Sequence, residues 1–173
     1  MNRSIRYACL TLGLLLVCSC TTYAADQKYD TDAVLGIWAT EPNDDGAYSH
    51  VEVSVQDGNY YGRIVFLSDP VYGDDEPEGT PGEPRADHEN PDALLRGRPL
   101  LGIDLMTGFK FNGKNKWEDG RIYDPESGKD YRSKLTMKDP DTLEVFGYVK
   151  IGFVKLGRDS IWKRVVEAEA GSE

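Results

Sequence analysis

The sequence predicts a mainly β fold, a single antiparallel β-barrel or strongly curved sheet with one short helix, following an N-terminal export signal. Three features point there. From residue 35 onward, short apolar or alternating segments recur at regular spacing, separated by turns built of Gly, Asn, Asp and Pro. Ser49 to Gln56 alternates cleanly, with Val51, Val53 and Val55 on one side and His50, Glu52, Ser54 and Gln56 on the other, the period of a half-buried strand. Ahead of these, Arg3 and Arg6 precede an apolar run from Ala8 to Val17, interrupted only by Thr11 and Gly13.

That run reads as the apolar centre of a secretory signal, because a membrane span takes about 20 apolar residues. Two processing outcomes are open. Thr22-Tyr23-Ala24 supplies the small residues of a cleavage site, giving a signal peptide over 1–24 and a periplasmic product that begins at Ala25. Leu16-Val17-Cys18-Ser19-Cys20 resembles a bacterial lipobox, giving a leader over 1–19 and a lipid on Cys20 that tethers the protein without spanning the membrane. Cys9, Cys18 and Cys20 are the chain's three cysteines, so a product from Ala25 folds without a disulfide in a compartment that permits them.

Residues 25–32 form a polar lead-in, and 33–166 the barrel domain. Leu35 to Thr40 is the first strand. Ser49–Gln56, the turn Asp57-Gly58-Asn59 and the returning Tyr60–Leu67 make a hairpin rich in aromatic and β-branched residues. Residues 68–92 hold five prolines, three glycines, nine acids and one base, Arg85. This composition predicts a long acidic surface loop with little structure of its own. Asn90-Pro91-Asp92 has the form of a helix start, so Ala93–Arg96 is read as one helical turn ended by Gly97. Strands resume over Leu100–Phe111, Trp117–Tyr123, Tyr131–Met137, Thr142–Val149 and Leu156–Val166, with turns at 112–115, 124–128 and 138–141. The tail, 167–173, is expected to fray.

Composition removes several functions. The formal net charge is −10, and loss of Arg3 and Arg6 with the leader takes it to −12, the wrong sign for nucleic acid. The mean hydropathy of −0.52 excludes a polytopic membrane protein. Gly-x-Ser-x-Gly, HExxH and GxGxxG are absent. His50, on the outward side of its strand, and His88, in the loop, are the chain's histidines, so zinc is not expected. Asp74-x-Glu76-x-Glu78-Gly79 imitates the start of a calcium loop, but Arg85 stands where a bidentate Glu is required. No cofactor and no catalytic residue are assigned. The candidate ligand-binding residues are Arg96, Arg98, Trp117, Tyr123 and Tyr131, clustered after the loop, where guanidinium groups and rings would meet an anionic or amphipathic ligand. The same residues equally suit structural roles, the arginines pairing with acids and the aromatics filling the core.

Leu35-Gly36-Ile37-Trp38, Leu95-Arg96-Gly97-Arg98-Pro99-Leu100-Leu101-Gly102, Trp117-x-x-Gly120-x-Ile122-Tyr123-Asp124-Pro125, Gly128-Lys129-x-Tyr131 and Ile161-Trp162-x-Arg164 together resemble the exported bacterial family catalogued as domain of unknown function 2147. The resemblance spans 33–165. It implies envelope export and a small antiparallel β-fold but confers no activity, and the long acidic insert departs from it. Gly36-x-Trp38 on the first strand with Arg164 on the last is similar, at the level of fold, to the calycin barrels, which include the lipocalins. There the Trp packs under the Arg and closes one end, so Trp38 and Arg164 are the expected closure pair. The function read from all this is a non-catalytic envelope module binding a small apolar or amphipathic molecule. The alternatives are an interaction module that presents its acidic loop, and an unrecognised hydrolase. A hollow interior discriminates the first from the second.

Overall fold

The computed structural model describes residues 29–166, so the expected signal peptide, Cys20 as the alternative lipidation position and the tail 167–173 lie outside the described residues. Eight strands follow one another: β1 (Gly36–Ala39), β2 (Ser49–Gln56), β3 (Asn59–Leu67), β4 (Asp104–Phe111), β5 (Lys116–Asp124), β6 (Lys129–Asp139), β7 (Thr142–Ile151) and β8 (Val154–Arg164). Each pairs antiparallel with the next, and β1 pairs with β8, which closes the barrel. The closing seam is short: Trp38 opposes Arg164 and Ala39 opposes Lys163.

The barrel has a filled end and an open end. At the filled end the inward positions carry Trp38, Val51, Tyr60, Met106, Phe109, Trp117, Leu135, Met137 and Leu143, all buried. The rings interlock: Tyr60 meets Trp117 edge-on, with centroids 6.1 Å apart. Glycines make room for this packing. A Cβ on Gly62 would stand 2.9 Å from Val51 Cγ1, and one on Gly120 would collide with the Phe109 ring. Gly120→Ala is therefore expected to destabilise the fold by about 1–3 kcal/mol through overpacking, measured as a lowered denaturation midpoint.

Alternation is broken at one informative place. A register shift between His50 and Val51 sets Phe66 opposite His50 rather than on the inward face. Phe66 is thereby 41% exposed and packs outside the barrel against His50, with centroids 4.5 Å apart, and against Tyr48. After this bulge, Leu67 and Ser49 turn inward. Val55 and Leu101 are also exposed, the first at the barrel rim and the second in the turn before β4.

The helical turn expected over Ala93–Arg96 is not a helix, and there is none among the described residues. Asn90 and Asp92 side chains instead accept from the backbone N–H two residues on, and the backbone closes isolated turns from Leu95 to Asp92 and from Arg98 to Leu95. Leu94 is 92% exposed, so no apolar stripe holds a helix against the barrel.

Candidate functional site

Inward side chains shrink toward the open end. Along β8 the inward column runs Trp162, Ser160, Arg158, and opposite it on β7 run Leu143, Val145, Gly147. With Ser49 on β2 and these small residues on the wall, the core packing stops and leaves a cavity of about 700 Å³. Its floor and walls are Ile64, Leu67, Leu100, Leu105, Ile122, Val145 and Trp162, with the rings of Tyr123 and Tyr131. The mouth is formed by Thr40–Asn43 and by the β5–β6 turn at Asp124, Pro125 and Glu126. Glu126 Oε1 accepts from Asn43 Nδ2 at 3.1 Å, which ties the two mouth segments together. Among the described lining residues the charges are Glu41, Asp124, Glu126 and one guanidinium, Arg158.

The structure sorts the expected ligand residues into three places. Tyr123 and Tyr131 line the cavity. Trp117 does not: it is fully buried in the filled half, packed between Tyr60 and Phe111. Arg96 and Arg98 lie outside the cavity lining, because each is held by the loop itself. Arg96 Nε donates to the Asn90 carbonyl at 2.8 Å. Arg98 pairs with Asp87, Nη2 to Oδ2 at 2.8 Å and Nε to Oδ2 at 3.0 Å.

Asp87 is the hub of that loop and the residue that sequence inspection missed. It is fully buried, and its carboxylate accepts from Tyr123 Oη at 2.6 Å, Asn90 Nδ2 at 2.7 Å and the Arg98 guanidinium. Burial pushes the Asp87 carboxyl up, but the hydrogen bonds from Tyr123, Asn90 and Arg98 outweigh it and hold it below the ordinary carboxylate range. Burial and the Asp87 carboxylate together push the Tyr123 phenol up to about 12. Tyr123 thus joins the cavity wall to the loop.

The acidic segment is correspondingly more ordered than its composition predicts. Arg85 binds Asp69 and Glu76 and lies over the Tyr72 ring, 5.3 Å from its centroid. Backbone bridges join Val71 to Pro84 and Ala86 to Pro99. Glu76, in the calcium-like stretch, is spent on Arg85 and on the Gly73 N–H.

At the filled end, the Arg164 guanidinium lies 4.2 Å from the Trp38 ring centroid. It donates to the carbonyls of Ala33, Leu35 and Pro140 at 2.7, 2.8 and 2.8 Å. Trp38 Nε1 donates to the Val34 carbonyl at 2.8 Å. Gly36 belongs to the same arrangement, since a Cβ there would stand 3.0 Å from Arg164 Nη1.

A family model described as "Uncharacterized protein conserved in bacteria (DUF2147)" matches residues 36–164, and the chain belongs to that family. No curated protein matches the sequence. Among solved structures, the chain is similar to the protein HP1028 from the human pathogen Helicobacter pylori, described as belonging to the lipocalin family. The TM-score is 0.62 at 25% identity, covering 77% of this chain and 83% of that one.

Proposed function

We propose that this DUF2147 protein is a non-catalytic envelope module whose half-hollow barrel holds one small apolar or amphipathic molecule. The observation that carries the proposal is the cavity of about 700 Å³, with an apolar floor and a polar, open mouth, the form of a small-molecule site. The lipocalin-like fold is consistent with it. The charged leader with its short apolar run supports work in the envelope, whether the product begins at Ala25 or is tethered through Cys20.

The mouth also argues for a head-group class. Arg96 and Arg98 are committed to the loop, and the mouth sets three carboxylates against Arg158. A neutral or zwitterionic head group suits that balance better than a strongly anionic one, because like charges in a partly desolvated mouth oppose each other.

An apolar, environment-sensitive fluorophore is expected to bind saturably. A monoacylglycerol or a zwitterionic lysolipid should displace it more effectively than a fatty acid. Ser49→Phe combined with Ile122→Phe, which fills the cavity, should weaken binding by about tenfold or more, each 1.4 kcal/mol of lost contact being a factor of ten. Unsaturable binding by the parent, or undiminished binding by a folded double variant, would overturn the proposal.

A further inference from the structure

We infer that the free end of the β7–β8 hairpin is a membrane-docking arm, which inserts into an anionic lipid surface and holds the cavity mouth close to it. β6 accompanies β7 only as far as Tyr148, and β1 meets β8 only at Lys163 and Arg164. Residues 149–156 are therefore a two-stranded ribbon standing clear of the barrel wall, reversed at Gly152 in the left-handed region.

Cross-strand partners share a face. Val149 opposes Leu156 and Ile151 opposes Val154, so one face of the ribbon is aliphatic, while Lys150 opposes Lys155 on the other. Phe153 at the tip is fully exposed, and Ile151 is 65% exposed. A ribbon of this size contributes nothing to a core and leaves a contiguous apolar patch in water, which marks an interaction surface.

Charge identifies the partner. From Val145 to Arg158 the chain has three basic residues and no acidic one, within a protein whose net charge is −10. A local cationic and apolar element on an acidic protein fits an anionic bilayer, whose head groups attract lysine while the side chains beside it enter the interface. The lysine stem lets Lys150 keep its ammonium group at head-group level, and the Lys155 ammonium lies over the Tyr148 ring, 4.4 Å from its centroid, at the root of the arm. Direction follows from continuity. Val149 and Leu156 belong both to the aliphatic face of the arm and to the cavity wall, so the apolar surface runs unbroken from tip to cavity. An arm seated in lipid brings the mouth near the bilayer, and the carboxylates of Glu41, Asp124 and Glu126 hold the mouth itself off the anionic head groups, so the arm makes the contact.

The test is Phe153→Trp in the full chain. The native tryptophans, Trp38, Trp117 and Trp162, are all buried, so the added indole reports on the tip. Vesicles of phosphatidylglycerol with brominated acyl chains should blue-shift and quench it, and brominated phosphatidylcholine vesicles should do so far less. Adding Lys150→Glu and Lys155→Glu should weaken the phosphatidylglycerol response by about tenfold or more in a protein that still unfolds cooperatively, the loss of Lys155 from the Tyr148 ring costing the fold little. Three results would overturn the inference: no response to either vesicle, an equal response to both, or a blue shift without vesicles that grows with protein concentration. The last would assign the arm to a second copy of this chain through its open edge. No cavity ligand enters the experiment, so its failure leaves the small-molecule proposal standing.

Discussion

Trp38→Ala is expected to lower the unfolding free energy by about 3–5 kcal/mol, the cost of deleting a fully buried indole from a packed core. The side chain has no exposure, its Nε1 donates to Val34, and its ring lies beneath the Arg164 guanidinium. Arg164→Ala should cost less, about 1–3 kcal/mol, because it strips the donor from the carbonyls of Ala33, Leu35 and Pro140. In a double-mutant cycle the pair should couple by about 0.5–2 kcal/mol, the worth of a guanidinium over an indole face. Urea unfolding of the four proteins gives all three quantities. Single variants that unfold with the parent would show that the closed end holds nothing. A coupling of zero would reduce the stacked pair to mere proximity.

Asp87→Ala should be nearly as damaging, toward the lower end of about 3–5 kcal/mol for removing one partner of a buried ion pair. The figure is lowered because the Arg98 side chain is 37% exposed and recovers some hydration. Tyr123 Oη and Asn90 Nδ2 lose their acceptor in the same step. Tyr123 is also cavity wall, so fluorophore binding should weaken along with stability. The carboxyl has a second consequence. Its folded pKa lies below the ordinary 3.8, so its stabilisation is complete above that unfolded value and is lost as pH falls through the lower folded value. Asp87→Asn should flatten the acid limb of the stability curve below about pH 4. An acid limb identical to the parent's would exclude Asp87 as its source.

The barrel was legible because antiparallel strands write their geometry locally. Val51 and Val53 alternate inward as their spacing implies, and the turns at 57–59, 112–115 and 138–141 each mark a strand reversal. The pairing of Trp38 with Arg164 was expected from the resemblance to calycin barrels that Gly36-x-Trp38 carries, and the guanidinium lies over the indole beside a glycine with no side chain to displace it. The loop was not. Asp87 looks like any other acid in an acidic stretch, and its partners Arg98 and Tyr123 are 11 and 36 residues away. Phe66 departs from the alternation of Tyr60, Gly62 and Ile64 for a related reason, since one extra residue at a bulge reverses every side chain beyond it. Arg158 lies two positions from Ser160 and four from Trp162 on one inward column, a period-two signal that becomes readable once Trp162 is known to face inward.

The two-residue seam between β1 and β8 bears on how the chain reaches this state. Every other junction joins strands adjacent in sequence, so seven of the eight pairings form as successive neighbours and carry little loop-closure entropy, the long β3–β4 connection aside. Circularisation alone requires the two ends of the domain to find each other, and it is rewarded with the fewest backbone partners. The expected order of assembly is therefore a nearly complete open meander that closes last. The Arg164 guanidinium, gripping the carbonyls of Ala33 and Leu35 across 131 and 129 residues of chain, acts as the latch that makes the last and entropically dearest step hold.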